Sequence, residues 1–170
     1  MLAESDEQVL EQTGTSSATH AFVPVGVGSI AQAVTQHFKD SARTIGSAKV
    51  ITVEPVTAAS LKTSLEAGTI SPVPTEDTIM CGMNCGTVST TAWPVLRSGV
   101  DASVVVTDVE AHRAVQDLQA LGVEAGPCGA STLAALRRAV RDKREELGLD
   151  QDSVVVLYCT EGPREYETPR

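Results

Sequence analysis

The chain has 170 residues, 42% of them hydrophobic, which is enough for one well-buried domain and too apolar for wholesale disorder. Its 13 basic and 22 acidic residues give a formal charge of -9, with acids gathered at 4–11 and 145–152, so nucleic acid and anionic membrane are not expected partners. Cys81, Cys85, Cys128 and Cys159 follow no C-x-x-C spacing and His20, His37 and His112 lie apart from them, so no metal site is expected; without a leader or an apolar stretch near ~20 residues, the expected compartment is cytoplasmic, with reduced thiols.

Residues 3–12 have the pattern of a helix with no strand before it, and further sequence upstream is expected. A small polar linker, 14–18, leads to 20–25, a short β-branched and aromatic run that suits a buried parallel strand. Pro24 has no amide for a ladder and belongs at that strand's end. Ile30, Val34 and Phe38 then repeat at helical spacing through 29–38. Residues 49–54 read as a second strand. A helix over 57–66 follows, with Ala58, Leu61 and Leu65 in register and Gly68 placed to end it. The stretch 71–77, with Pro72 and Pro74, is loop, and 78–86 is rich in glycine and sulfur rather than amphipathic. Helical spacing resumes over 90–97 with Pro94 in its first turn, and 103–107 is a third strand. Asp108 reads as the N-cap of a helix through Leu121, closed by Gly122. The longest helix is expected over 131–147, with Arg137, Arg138, Arg141, Lys143 and Arg144 as a solvated face in its C-terminal half. Residues 153–158 form the last strand. Strands alternate with helices throughout, so the expected fold class is α/β, a single domain over 1–170 with its sheet covered on both faces.

Gly26-Val27-Gly28-Ser29-Ile30-Ala31 lies directly between the first strand and the helix that follows it. Glycines let a ligand approach the backbone closely, and the first amides of a helix have no internal partners, so this loop is read as an anion site suited to a phosphate. The pattern G-x-G-x-x-A is also a dinucleotide fingerprint, with Glu54 at about the ~20-residue distance of a ribose-binding acid. In a parallel sheet ligands lie at the carboxyl ends of the strands, and three loops there have ligand-like chemistry: 26–31, 78–86 and 159–162.

Together, these pieces resemble the fold-type II pyridoxal-phosphate enzymes, the family of the tryptophan synthase β-chain, threonine dehydratases, serine racemases and cysteine synthases. The likeness rests on Gly26-Val27-Gly28-Ser29-Ile30, Val53-Glu54-Pro55, residues 64–68, Thr78-Ile79 with Gly82, Glu124 followed by Gly126, Ala134-Ala135-Leu136, and a hydroxyl residue after the last strand. It is most similar to the diaminopropionate ammonia-lyase branch in Thr19-His20, in residues 78–86 and in Thr160-Glu161-Gly162. The resemblance implies a three-layer α/β/α sheet forming an incomplete large domain. It implies pyridoxal 5'-phosphate as cofactor, an amino-acid substrate undergoing α,β-elimination to pyruvate and ammonia, and a homodimeric habit. It leaves the dinucleotide reading as the lesser alternative.

By the same resemblance Gly26, Val27, Gly28, Ser29 and Ile30 would hold the cofactor phosphate, and Thr160, or Cys159 if the frame is one off, would face the pyridine nitrogen. Gly82 would lie beside the ring, Glu124 near its phenolic edge, and Asp6 would serve as an acid or base. The family's Schiff-base lysine lies far upstream of the glycine loop and has no match here. Lys39, Lys49, Lys62 and Lys143 all fall in surface helices or at a strand start. Three readings follow from that gap: the C-terminal part of a longer ammonia-lyase, a noncatalytic phosphate-binding remnant, or a subunit completed by another chain. A part of this kind is further expected to expose apolar faces of its sheet.

Overall fold

The structure is a computed structural model that describes residues 1–15, 17–40 and 47–170. Helix α1 (Leu2–Thr13) precedes strand β1 (His20–Pro24), helix α2 (Ser29–Lys39), strand β2 (Lys49–Pro55), helix α3 (Ser60–Ala67) and helix α4 (Trp93–Gly99). Strand β3 (Ala102–Val106), helix α5 (Asp108–Ala120), helix α6 (Pro127–Asp142), the short helix α7 (Arg144–Leu147) and strand β4 (Val155–Leu157) complete the order. The four strands form one parallel sheet in the order β3-β2-β1-β4. A crossover helix between parallel strands is what places cover on both faces of such a sheet.

Alternation along the strands sorts the core into two layers. Phe22, Ile51, Val53, Val104 and Val106 pack with Ala111, Ala114, Ala130 and Ala135 of α5 and α6 on one face. Ala21, Val23, Val25 and Val50 pack with Val34 and Phe38 of α2, Leu61 of α3 and Leu96 of α4 on the other. The central strand β1 is buried along its whole length, whereas β4 is half-buried at all three residues. The expected apolar exposure of the sheet is not seen among the described residues: helices cover both faces, and the exposed large apolar residues, among them Leu10, Val27, Val56, Leu121, Val123 and Val140, lie in helices and loops rather than in strands. The edge opposite β4 is blunted: Arg138 donates a 2.7 Å hydrogen bond to the Val105 carbonyl oxygen.

Pro24 is the last residue of β1, two residues beyond the final β1–β4 pair, Phe22 with Leu157, so its missing amide falls where no ladder bond is due. Three expectations are corrected. The second crossover helix begins at Ser60, after a 3-10 turn over Val56–Ala58, rather than at residue 57. The cap of α5 is Thr107, whose side chain accepts from the Glu110 amide while Glu110 accepts from the Thr107 amide. The longest helix begins at Pro127, four residues before the expected 131, and breaks at Lys143. Gly126 and Pro127 supply that start, since proline at the first helical position gives up an amide that had no partner.

Candidate functional site

The glycine loop leaves β1 at its carboxyl end. The Val25 amide donates to the Val53 carbonyl, and the next main-chain donor with an acceptor is Gln32, bonded to the Gly28 carbonyl at 2.8 Å. Among the described residues, the intervening amides of Gly26 through Ala31 have no acceptor. Those of Ser29, Ile30 and Ala31 form the first turn of α2, where the helix dipole adds to them and favours an anion. Gly28, with φ of 107°, is in a backbone conformation that L side chains avoid, and a Cβ there would lie 2.9 Å from Leu96 Cδ1. The loop is thus wedged onto α4 by the absence of a side chain.

The second segment docks on the first through another glycine. A Cβ at Gly26 would approach the Gly82 carbonyl oxygen to 2.8 Å and Cys85 Sγ to 3.3 Å. Residues 78–86 are held there by Asp108, the first residue of α5, which accepts from the Thr78 hydroxyl and from the Ile79 amide at 3.1 Å. Asp108 thus anchors this segment and leaves the capping of α5 to Thr107. A Cβ on Gly82 would in turn meet Cys128 Sγ at 3.3 Å, so the start of α6 forms the next wall.

The third segment follows β4. Glu161 Oε2 accepts the Cys128 amide at 2.6 Å, its carbonyl accepts the Gly126 amide at 2.9 Å, and Cys159 packs on Gly129. Glu161 also pairs with Arg164 at 3.0 Å, and Arg164 donates to the Ile79 carbonyl oxygen. Burial, and secondarily the Glu161 charge, push the Cys128 thiol up to about 12, so it stays a neutral wall atom at physiological pH.

The structure therefore brings together Gly26, Val27, Gly28, Ser29, Ile30, Gly82 and the segment bearing Thr160. Val27, Ser29, Gly82 and Thr160 are exposed, so the three loops form an open shelf at the carboxyl end of the sheet. Glu124 lies at the same end, exposed, on a cavity of about 230 Å³ shared with Arg164 and Tyr166. Asp6 is not brought to the shelf. It pairs at 3.0 Å with His37, two turns down α2 from Ser29, about 12 Å along the axis at 1.5 Å per residue. An acidic first helix alone cannot say which end of the sheet that helix meets.

Glu54 is fully buried and accepts the Leu61 and Lys62 amides at 2.7 and 2.8 Å, so it caps α3 and has no carboxylate left for a ribose. That removes the acid on which the dinucleotide alternative depended. The four lysines are engaged elsewhere: Lys39 with Asp101, Lys49 with the Leu147 carbonyl, Lys62 with Glu66 and Lys143 with Glu146. Sequence reasoning took Gly126 only as part of the resemblance and Cys128 only as a thiol, and missed that residues 126–129 start a helix at the site, although the Gly-Pro pair was a visible signal. It had no means of finding Arg164, whose decisive contact, with Ile79, spans 85 residues.

Among the described residues, no group of three or more His, Cys, Asp or Glu is placed to hold a metal ion, and no helix is long and apolar enough to cross a membrane. The cradle is suited to a phosphate ester: free amides on a helix N-terminus, glycines where side chains would block approach, and an adjoining shelf wide enough to be solvent-exposed. These residues fit the phosphate and ring-side contacts of pyridoxal 5'-phosphate.

Comparison with known proteins agrees with this geometry. The chain is 28% identical over 176 residues to diaminopropionate ammonia-lyase of Salmonella typhimurium, an alignment covering 95% of this chain and 43% of that enzyme. Diaminopropionate ammonia-lyase of Escherichia coli, solved in complex with D-serine, superposes with a TM-score of 0.79 at 26% identity, covering 95% of this chain and 42% of that one. The maize serine racemase gives a TM-score of 0.77 at 24% identity, covering 96% and 48%, a likeness of fold. The chain thus spans about half the length of these relatives or less. The family model described as pyridoxal-phosphate dependent enzyme matches residues 5–161, and the chain accordingly belongs to that family, with its fold-type II architecture and its pyridoxal 5'-phosphate cofactor.

Proposed function

We propose that this chain is the cofactor-holding C-terminal part of an ammonia-lyase acting on an amino acid, with diaminopropionate as the substrate its relatives suggest and pyruvate and ammonia as the products of α,β-elimination. The observation that carries this reading is the convergence of the unpaired amides at 26–31, Gly82 and the Thr160-Glu161-Gly162 segment at one end of the sheet. When bound, the cofactor supplies an electron sink that acidifies the substrate α-carbon.

The chain's residues bind and orient. The amides of Gly26 through Ile30 hold the phosphate, and the Ser29 hydroxyl adds a donor. Thr160 offers a hydroxyl to the ring nitrogen, and a hydroxyl, unlike a carboxylate, does not hold a proton on that nitrogen. Gly82 leaves room for the ring, and Glu124 stands at its phenolic side. The amine that fixes the cofactor covalently comes from sequence outside these 170 residues, upstream or on a second chain, since every lysine here is occupied away from the shelf. The family's homodimeric habit and a cytoplasmic setting, to which four free cysteines are suited, belong to the same reading.

Titration of the 170-residue chain with pyridoxal 5'-phosphate, followed by quenching of its single tryptophan, Trp93, tests this directly. Saturable binding without a borohydride-stable adduct is expected, and Gly28→Ala should abolish it, the Cβ meeting Leu96 at an unfavourable φ. A stable adduct on Lys39, Lys49, Lys62 or Lys143 would overturn the assignment of the amine to other sequence. The mass of the native product, detected through an epitope at Arg170, decides between upstream sequence and a complementing chain: a mass well above 17.8 kDa supports the former.

A further inference from the structure

The shelf has two helix N-termini facing it, α2 and α6, yet they differ in how their amides are used. That of α2 carries unpaired amides, whereas that of α6 is closed by Glu161, which accepts from Cys128 through its carboxylate and from Gly126 through its carbonyl. The other carboxylate oxygen of Glu161 holds Arg164 at 3.0 Å. Arg164 reaches on to the Ile79 carbonyl, while the Ile79 amide is bound by Asp108. Ile79 is therefore gripped from both sides of its own residue, three positions before Gly82. Glu161, the residue after Thr160, is thus tied to the start of α6 through the Cys128 amide and, through Arg164, to the segment bearing Gly82.

We propose that Glu161 and Arg164 are positioning residues of the cofactor site: the pair sets Thr160 and Gly82 against the start of α6, fixing the ring-facing half of the site independently of the phosphate cradle on α2. The proposal rests on the functional reading above. Its physical basis is that both links are charge-assisted hydrogen bonds, one of them to a helix N-terminus, which are stronger and more directional than neutral ones. Glu161 and Arg164 are each about three-quarters buried, with side-chain exposures of 23% and 29%, which protects the pair from the screening that makes surface ion pairs weak. Glu161 also neutralises α6, leaving the amides of α2 to await an anion. Among the described residues, no hydrogen bond of the pair reaches residues 26–31, so the two halves of the site should be separable by mutation.

The test uses the full 170-residue chain with two probes, pyridoxal 5'-phosphate read by Trp93 quenching and by its own absorption band, and inorganic phosphate read by ³¹P line broadening. In Arg164→Met and Glu161→Gln the cofactor should bind about tenfold more weakly, as for loss of one charge-assisted contact, and its bound absorption band should shift, while inorganic phosphate affinity stays at the wild-type value. Arg164→Lys, which keeps the charge but not the fork, should recover part of the cofactor affinity. Unchanged cofactor affinity and spectrum in folded Arg164→Met would overturn the proposal, as would a parallel loss of both probes, which marks general damage. Should Glu161→Gln not fold, Arg164→Met decides. Wild-type chain that binds neither probe defeats the functional reading itself, and is distinguished from failure of the pair because in that case the variants have nothing to lose.

Discussion

Glu54 is a carboxyl with no solvent exposure, seated on the first amides of α3. Burial raises it from the ordinary 4.5 to about 7, against the lowering effect of the Leu61 and Lys62 amides. A carboxyl raised by folding adds most stability while protonated in both states. That contribution is complete below about pH 4.5 and is lost as pH rises through about 7. The loss amounts to about 3 kcal/mol over this window. Urea unfolding of wild type and Glu54→Gln across pH 5 to 8 should show wild type weakening relative to the variant; parallel curves would disprove the titration. The residue that a fingerprint reading would assign to a ribose is thus a helix cap with its charge partly suppressed.

At the scale of elements, α5 and α6 form the most extensively packed helix pair and carry the site's third wall. The α5 start depends on the Thr107–Glu110 capping box, which satisfies two amides reciprocally. Thr107→Ala should cost about 1 kcal/mol, measurable as a lowered Tm, with Asp108 unable to compensate because its carboxylate is taken by Thr78 and Ile79. The basic run on α6, expected to be a solvated face, divides in two. Arg137 pairs with Asp117 and Arg138 with Glu110, tying α6 to α5, while Arg141 pairs with its neighbour Asp142 at the surface. A helical wheel shows the charges but not the acids on the next helix.

Across the whole molecule, protection should follow the layering. Strand β1 lies between two core layers, whereas α1 has no buried residue and is fastened by Asp6 to His37 and by Ser5 to Tyr158 at 3.2 Å. Native-state hydrogen exchange should find the β1 and β2 amides opening only with global unfolding and α1 opening first, at a small fraction of the global free energy. Uniform protection of α1 and β1 would show that α1 is part of the same cooperative unit. The position of α1 at the margin also accounts for where Asp6 lies: its helix is docked by partners on α2 and after β4, which place Asp6 beside His37 rather than on the shelf.

The α/β class, the alternation of strands and helices, the glycine loop at 26–31 and the family were all legible in the sequence, because each is written in local pattern: period-2 and helical spacing, glycines before a helix, and short runs of fixed residue types. Helix starts were misplaced by three residues at 57, by four at 131 and by one at 108, where Thr107 and Asp108 competed as caps and the docking of Asp108 on Thr78 and Ile79 chose between them. What the tertiary structure decided is which groups meet. It sent Asp6 down the side of α2, turned Glu54 inward onto α3, kept all four lysines from the shelf, and closed α6 with Glu161 and Arg164. The closure of α6 and the docking of residues 78–86 depend on strand order and on contacts between segments 29 to 85 residues apart, and no local periodicity encodes them.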